Sequence, residues 1–301
     1  MEPLVYLNGQ FMPSADARLE VFDLAIVQGA TVSEMTRTFR QKLFRLEEHL
    51  RRLWNSLGVV GLEIGLTLDE LARISQELVA RNAAVVGEQT ELALVHFVSA
   101  GEHGMYAGRP VRSGPTVCAH TFPLRFETWS KKFREGVHVV TPAVRQVPPE
   151  CIDPQIKCRS RMHYYLADRQ ARAADPEAVA LLLDFDGHVT ETNGANFLVV
   201  ERGTLVSPPL DKTLPGVSRA VVIELADRLG VRFCQRELTV DDVLQADEAL
   251  LSGTPYCLLP VTRLNGKPIG EGCPGASFRR LVEAWSREVG VDIAGQLIGH
   301  Q

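Results

Sequence analysis

Residues 179–219 read VALLLDFDGHVTETNGANFLVVERGTLVSPPLDKTLPGVSR. Apolar and β-branched runs in this stretch are interrupted at Asp186-Gly187 and at Arg202-Gly203, and such dipeptides are typical of tight hairpin turns. The pattern predicts three or four antiparallel strands in succession. After Pro215-Gly216 the apolar residues recur at helical spacing, in SRAVVIELADRLGV (218–231). The centre of the chain is therefore predicted to be a series of strands that leads into a helix.

Helices and strands are also interspersed on both sides of this stretch. On the amino-terminal side, Asn8-Gly9 marks a hairpin, and a capping pattern from Thr67 to Glu70 precedes a helix. Helices are predicted at 44–57, 71–84, 160–174 and 239–246, and strands at 90–101, 136–149 and 247–270. Because helices and strands do not alternate strictly, the predicted fold class is α+β and not a doubly wound sheet.

A change in composition near residue 120 indicates a domain boundary. Residues 108–135 begin rich in Gly, Pro, Ser and Thr and end in a charged run, with little sustained periodicity. We therefore expect a small amino-terminal domain at 1–120, a linker at 121–132 and a larger carboxy-terminal domain at 133–301. The length of 301 residues agrees with two domains.

The composition is typical of a globular protein, and the charge fits a small-molecule partner better than nucleic acid or an anionic membrane. Apolar residues make up 45% and charged residues 23%, and the formal charge is −5. This charge gives no general attraction for nucleic acid or anionic membranes, and no apolar run is long enough to span a bilayer. The amino-terminal sequence lacks the pattern of a secretion signal, and the six cysteines form no CxxC pair. We expect a cytoplasmic protein with reduced thiols and no metal site.

Four short segments carry residue types that chemistry could use, although no HExxH, P-loop or GxSxG motif is present. Lys157 has Arg159 and Arg161 nearby, and crowded cations favour the free amine that Schiff-base chemistry requires; the alternative is a solvated surface lysine. Glu191 follows a predicted strand and is alternatively a surface acid. The helix start after Gly216 is either a phosphate site or an ordinary cap. The turn at 252–254 either supplies a hydroxyl or is only a turn.

The order of these segments carries more information than any one of them. The chain resembles the class IV aminotransferases in the order and spacing of HLRRL (49–53), Lys157, ETNGANF (191–197), LPGVSR (214–219) and SGT (252–254). These fold-type IV pyridoxal phosphate enzymes include branched-chain and D-amino acid aminotransferases and aminodeoxychorismate lyase. The resemblance extends from LNGQF to about Gly270. It implies a small amino-terminal α/β sandwich, a larger β-barrel-like carboxy-terminal domain, a cofactor held between them, and a homodimer.

The resemblance also assigns roles to particular residues. Lys157 would carry pyridoxal 5'-phosphate as a Schiff base, and Glu191 would pair with the protonated pyridine nitrogen, which keeps the ring able to accept electrons. Lys157 would then move a proton in a ping-pong transamination between an amino acid or amine and a 2-oxo acid. The phosphate would be bound by the Arg52 side chain, the N–H groups of Val217 and Ser218, and the Thr254 hydroxyl.

The chain departs from the family pattern in the early pocket segment. Many members have an aromatic residue and a Phe-Glu or Tyr-Glu pair there, whereas this chain has Gln28 and then Ser33 before Glu34. We therefore expect a substrate pocket that is less aromatic, and wider or more polar. The Gly-rich loop at 99–109 is expected either to be simply exposed or to help close the pocket of a partner subunit. Its candidate contacts for a substrate carboxylate are His103, Tyr106 and Arg109.

A second departure follows the lysine. Many members have Asn-Tyr four and five residues after it, with the phenol near the ring hydroxyl of the cofactor. This chain has Arg161 and Met162 at those positions. Tyr164 or Tyr165 is the expected substitute for that phenol.

Three functions remain open on the sequence. An aminotransferase is favoured. A lyase that releases pyruvate from an aminodeoxychorismate-like substrate would use the same lysine, acid and phosphate site. A non-catalytic protein that only binds the cofactor is the third, and the presence of both Lys157 and Glu191 argues against it.

Overall fold

The structure is a computed structural model that describes residues 2–299. The chain divides into two compact units. The first contains the residues up to Leu124 together with Ile156–Ser160, and the second contains Arg125–Gln155 and the residues from Arg161 onward. None of the helices formed by residues 2–299 is both long enough and apolar enough to cross a membrane.

The first unit is an antiparallel sheet with helices. Its strands are β1 (Leu4–Leu7), β2 (Gln10–Pro13), β3 (Thr31–Phe39), β4 (Lys42–Leu43), β5 (Leu92–Ser99) and β6 (Thr116–Pro123). Its helices are α1 (Leu24–Val27), α2 (Leu46–Val60), α3 (Leu68–Val86) and α4 (Gly104–Ala107). The strand order within the described residues is β2-β1-β6-β5-β3-β4.

The helices α2 and α3 supply one side of the core of this unit. Leu50 and Leu53 of α2 are fully buried, as is Leu78 of α3, and they belong to one apolar cluster with Leu92 and Leu94 of β5. Apolar residues at helical spacing on α2 meet apolar residues that alternate along the strand, which is why helix and sheet can share one core. The helices predicted at 44–57 and 71–84, and the α/β sandwich predicted for this part of the chain, are confirmed.

The start of α3 is also as predicted. Thr67 is its N-cap and accepts from the backbone N–H of Glu70, while the Glu70 carboxylate accepts from the Thr67 N–H, so the capping box is complete.

The second unit combines runs of successive strands with helices, without strict alternation. Its strands are β7 (Val137–Val140), β8 (Val179–Leu183), β9 (Val189–Thr192), β10 (Ala195–Glu201), β11 (Thr204–Ser207), β12 (Arg232–Gln235), β13 (Glu248–Gly253), β14 (Cys257–Leu264) and β15 (Lys267–Pro268). Its helices are α5 (Glu127–Glu135), α6 (Met162–Ala174), α7 (Val217–Arg228), α8 (Val240–Gln245), α9 (Ala276–Val289) and α10 (Ile293–Ile298).

Six of these strands close into a barrel within the described part of the chain. Their order is β10-β13-β14-β7-β8-β9, and β9 pairs with β10 to complete the ring. β7 runs parallel to both of its neighbours, β14 and β8, and the other neighbours in the ring are antiparallel. Closure pairs both edges of each strand in the ring. The predicted α+β class and β-barrel-like domain are confirmed.

The structure differs from the predicted domain division in two places. The predicted linker at 121–132 instead contains the end of β6 and most of α5. Phe126, Trp129 and Phe133 lie at helical spacing in and just before α5. The Phe133 ring packs edge-on against the Phe278 ring, with the ring centres 5.2 Å apart. A few large aromatic residues thus anchor a helix whose other residues are mostly polar. The second difference is that Ile156–Ser160, predicted to lie in the carboxy-terminal domain, belongs to the first unit.

Gly136 allows the chain to pass from α5 into β7. Its φ is +88°, and a Cβ at this position would overlap the side chain of Thr262. Gly187 has nearly the same φ, +90°, but a Cβ there would meet nothing within 4 Å. A substitution at Gly187 therefore introduces backbone strain alone, whereas a substitution at Gly136 introduces the same strain and a steric overlap as well.

We predict that Gly187→Ala lowers the free energy of unfolding by about 1 kcal/mol, through backbone strain alone. Gly136→Ala should lower it by about 2 kcal/mol more, because the methyl group must displace Thr262. Urea unfolding of the two variants beside the wild type measures both values. Equal losses would show that the overlap with Thr262 is relieved without cost.

Candidate active site

The backbone of Lys157 is fixed within the first unit. Its carbonyl oxygen accepts from the N–H of Ser33 on β3 at 2.8 Å. Its own N–H donates to Ser56 Oγ on α2 at 3.2 Å. The Ser56 hydroxyl in turn donates to the carbonyl of Arg52 at 3.1 Å, and Ser56 is fully buried. Strand β3 and helix α2 therefore hold the lysine from two sides.

A buried ion pair follows directly along β3. Glu34 is 1% exposed and accepts two hydrogen bonds from Arg52, one from Nε at 2.8 Å and one from Nη2 at 2.6 Å. His49 Nδ1 lies 2.9 Å from the same carboxylate. Burial alone would raise the pKa of Glu34, but the Arg52 charge and the His49 contact outweigh it and hold that pKa well below its usual range. Glu34 is therefore ionised and binds the guanidinium as a fork.

Burial lowers the pKa values of two histidines near this pair, which favours their neutral forms. Burial lowers the pKa of His49, although its hydrogen bond to Glu34 works in the opposite direction. Burial also lowers the pKa of His96 to about 4. Ser75 donates to the Leu71 carbonyl at 2.6 Å, so its oxygen accepts from His96 Nε2 at 2.8 Å. The main charges among these side chains are therefore those of Glu34 and Arg52.

In the second unit, Glu191 lies in a row of polar side chains that crosses three strands. It pairs in register with Asn196 on β10, and Asn196 pairs with Ser252 on β13. Residues opposite each other in antiparallel strands project from the same face of the sheet. Asn196 Nδ2 donates to Glu191 Oε2 at 3.1 Å, and the backbone N–H of Leu214 donates to the same oxygen at 3.2 Å.

The other oxygen of Glu191 accepts from a tyrosine. The Tyr164 hydroxyl donates to Oε1 at 2.9 Å, and Gln146 Nε2 donates to the Tyr164 oxygen at 3.0 Å. The sequence predicts Tyr164 or Tyr165 as the phenol near the ring hydroxyl of the cofactor. In the structure Tyr164 forms hydrogen bonds with Glu191 and Gln146, and Tyr165 is 59% exposed.

The loop before α7 is tied to the same row. Asn196 Nδ2 also donates to the carbonyl of Leu214 at 2.8 Å. Gly216 is the N-cap of α7 and has no side chain that could accept from the first N–H groups, which belong to Val217 and Ser218. A Cβ on Gly216 would overlap Asn196 Oδ1, so the close approach of strand and loop requires glycine. The amino end of α7 is thus a possible anion site, as the sequence predicts.

The remaining candidates lie on turns and short helices. Thr254 is half-buried in the turn after β13, within the second unit. In the first unit, Gln28 is the C-cap of α1. The His103 and Tyr106 rings stack at 4.3 Å in and beside α4, and Tyr106 is 62% exposed. The Arg109 guanidinium lies 5.1 Å from the centre of the Phe22 ring.

A known family matches most of the chain. The family model described as Amino-transferase class IV matches residues 31–264. The chain belongs to this family. It is an aminotransferase, and the matched range includes Glu34, Lys157, Glu191 and Thr254.

Individual relatives agree with the family match. A Methanocaldococcus jannaschii protein, provisionally named a branched-chain-amino-acid aminotransferase, is 31% identical over 281 residues, which cover 93% of this chain and 94% of that protein. The branched-chain-amino-acid aminotransferase of Escherichia coli strain K12 is 25% identical over 287 residues, covering 93% and 91%.

Solved structures of the family are also similar. The crystal structure of the Escherichia coli branched-chain amino acid aminotransferase has a TM-score of 0.86 at 25% identity, covering 95% of this chain and 94% of that one. The T.th. branched-chain amino acid aminotransferase with pyridoxamine 5'-phosphate has a TM-score of 0.85 at 26% identity, covering 96% and 95%. The fold of this aminotransferase is therefore the fold of its family.

Several residues that position the candidate groups of this aminotransferase carry little or no signal in the sequence. Asn196 could have been found by hairpin arithmetic, because a two-residue Asn193-Gly194 turn necessarily places residue 196 opposite residue 191. No comparable signal exists for the pairing of Glu34 with Arg52 or for the hydrogen bond from Lys157 to Ser56, since these contacts join elements that are distant in sequence.

We predict that Glu34→Gln lowers the free energy of unfolding by about 3–5 kcal/mol, because the Arg52 guanidinium loses its buried counter-charge. Glu47→Gln is the matched control, since it removes an ion pair with Arg51 on the same helix where both side chains are 67% exposed. Glu47→Gln should lower the free energy of unfolding by less than about 1 kcal/mol. Urea unfolding of both variants measures the difference, and similar losses would contradict a stabilising role for the buried pair.

We also predict that His96 makes stability depend on pH. The pKa of His96 is 6.5 in the unfolded chain and about 4 in the folded one, so the unfolded chain binds more protons between these values. Stability is therefore complete above pH 6.5 and falls as the pH is lowered, by about 2 kcal/mol between pH 8 and pH 5 for this group. His96→Gln should remove that part of the difference in urea unfolding. An unchanged pH dependence would refute the assignment.

Proposed function

We propose that this aminotransferase uses pyridoxal 5'-phosphate, bound covalently at Lys157 Nζ, to move an amino group between an amino acid or amine and a 2-oxo acid. The observation that carries the proposal is the family match over 31–264, within which Lys157 and the ETNGANF and LPGVSR segments follow in the family's order. Two related structures are described as containing pyridoxamine 5'-phosphate and N-(5'-phosphopyridoxyl)-L-glutamate. Both of these groups contain the phosphorylated pyridine ring of the proposed cofactor.

The surroundings of Glu191 fit the pyridine nitrogen. Three neutral donors, from Tyr164, Asn196 and Leu214, stabilise negative charge on the carboxylate. In the same row, Ser252 Oγ is buried without a hydrogen-bond partner among residues 2–299. A buried polar atom of this kind is normally satisfied, so its presence favours a polar ligand at this face of the barrel.

The amino end of α7 fits the phosphate. Val217 and Ser218 present the first N–H groups of a twelve-residue helix behind a glycine N-cap, and the helix dipole favours an anion there. We assign the Thr254 hydroxyl and Arg52 to the same phosphate.

Lys157 and Glu191 would then have different roles in the reaction. When bound, the cofactor supplies a ring that can accept the electrons of a substrate carbanion. Lys157 Nζ would accept the proton of the substrate α-carbon and return it, from a backbone that Ser33 and Ser56 hold on both sides. Glu191 would keep the positive charge on the pyridine nitrogen.

The substrates are proposed from the relatives and from the pocket segment. Because the relatives described above are named for branched-chain amino acids, we propose valine, leucine and isoleucine as the first donors to test. Gln28 and Ser33 replace aromatic residues that many members of the family have, so we expect a wider or more polar pocket. The donor panel therefore also includes D-amino acids, dicarboxylic amino acids and primary amines.

An absorbance spectrum tests the proposal. The wild type loaded with pyridoxal phosphate should show a band near the visible region that Lys157→Ala lacks, and one class of donor should bleach it. Lys267→Ala is a matched control, because this lysine lies on the exposed strand β15 and should keep the band. Absence of any band in the wild type would refute the proposal.

The same samples distinguish the alternative reactions. Amino transfer to an added 2-oxo acid supports an aminotransferase on this substrate panel. Pyruvate released from a single amino substrate, without an acceptor, would support the lyase instead. A stable band that no donor bleaches would favour a protein that only binds the cofactor.

We further propose that the enzyme is a cytoplasmic homodimer. Val21, Ile26, Met105 and Tyr106 are apolar side chains that are more than half exposed, and they lie on segments that the bridge between Asp23 and Glu102 joins. Clustered exposed apolar groups are typical of subunit interfaces. All six cysteines are free, which fits a reducing compartment. A monomer mass by light scattering or recovery in an exported fraction would contradict these proposals.

A further inference from the structure

We propose that Tyr164 and Gln146 are positioning residues for this reaction: Gln146 directs the phenol hydrogen of Tyr164 onto Glu191, and this fixes the carboxylate that faces the cofactor's pyridine nitrogen. The inference rests on the proposed function, because it concerns what Glu191 does when the cofactor is present. It gives Tyr164 a different role from the contact with a cofactor hydroxyl that the sequence suggests.

The three side chains form a buried chain of hydrogen bonds. Gln146 is 9% exposed, Tyr164 5% and Glu191 8%. The distances are 3.0 Å from Gln146 Nε2 to Tyr164 Oη and 2.9 Å from Tyr164 Oη to Glu191 Oε1. Both distances are those of well-formed hydrogen bonds.

The direction of this chain is determined by its ends. The Tyr164 hydroxyl donates to the Glu191 carboxylate, and a phenol has a single hydrogen to donate. The Tyr164 hydrogen therefore goes to Glu191, and the amide of Gln146 must present its NH₂ group to the phenol oxygen. Burial and the nearby Glu191 charge raise the pKa of Tyr164 well above its ordinary value, so the phenol keeps its hydrogen throughout the working pH range.

The two oxygens of Glu191 are held from different parts of the second unit. Tyr164, on α6, holds Oε1, whereas Asn196 on β10 and the Leu214 N–H hold Oε2. The Tyr164 ring itself is anchored in an apolar cluster with Ala167 and other residues of α6 and β8. Because different elements hold the two oxygens, the carboxylate cannot rotate without breaking a hydrogen bond.

The experiment is a double-mutant cycle on the cofactor-loaded enzyme. Tyr164→Phe keeps the ring and removes the hydroxyl, and Glu191→Gln removes the charge that the hydroxyl contacts. We expect Tyr164→Phe to weaken cofactor retention about tenfold, the size expected for a hydrogen bond to a charged group. In the Glu191→Gln background the same change should have an effect of less than about twofold, because the two residues act as one unit. The cofactor dissociation constant and the pH titration of its absorbance band are both measured.

Two further variants control for shape. Tyr165→Phe removes a neighbouring hydroxyl from a side chain that is 59% exposed, and it should leave cofactor retention unchanged. Gln146→Glu keeps the shape of the side chain but replaces the donor with an acceptor, so it should reproduce the loss seen with Tyr164→Phe. The thermal unfolding of each apoprotein shows that the variants are folded.

The outcomes separate this inference from the proposed function. If Tyr164→Phe weakens retention equally in both backgrounds, the phenol acts on another group and the inference is overturned. If Tyr164→Phe binds the cofactor as tightly as the wild type does, and the loaded wild type shows its absorbance band, the inference fails and the proposed function stands. If the wild type shows no band at all and Lys157→Ala is identical to it, the proposed function itself fails.

Discussion

The pairing of β9 with β10 is the constraint on which both the barrel and its polar face depend. Thr192 pairs with Ala195 and Glu191 with Asn196 across the turn at Asn193-Gly194. This pairing closes the ring of strands, and it also aligns the carboxylate with the amide that orients it. A slip of one residue would turn every side chain of β9 to the other face. The shape of the barrel and the position of its acid therefore depend on one two-residue turn.

Glu34 and Glu191, two of the buried glutamates, are stabilised in different ways. Glu34 binds the Arg52 guanidinium and contacts His49, so its charge is balanced by a neighbouring cation. Glu191 accepts hydrogen bonds from a phenol, an amide and a backbone N–H. Neutral donors orient a carboxylate without cancelling its formal charge, whereas a bidentate cation does both. The arrangement around Glu34 holds an arginine, whereas the donors around Glu191 orient its carboxylate.

Local patterns in the sequence predicted the local structure. The capping box at Thr67, the turns at Asn8-Gly9 and Arg202-Gly203, and the long amphipathic helix after Arg45 all depend on residues within one or two turns of each other. The family motif supplied the candidate lysine, acid and phosphate site. What the patterns could not predict was which distant residues meet, as Glu34 meets Arg52, because strand register and helix placement set such contacts. The helix α5 was missed because its few aromatic residues are separated by charged ones.

The segment Ile156–Ser160 has a consequence for the architecture of the chain. It is a short insertion of the first unit into the sequence of the second, held by the N–H of Ser33 and the hydroxyl of Ser56. The polypeptide thus passes from one unit to the other after Leu124, after Gln155 and again after Ser160. A fragment that ends at Leu124 would lack Ile156–Ser160, which belongs to its unit. A fragment that begins at Arg125 would contain this segment without the residues of the first unit that bind it. The two units are consequently not separable modules that gene fusion or truncation could exchange whole.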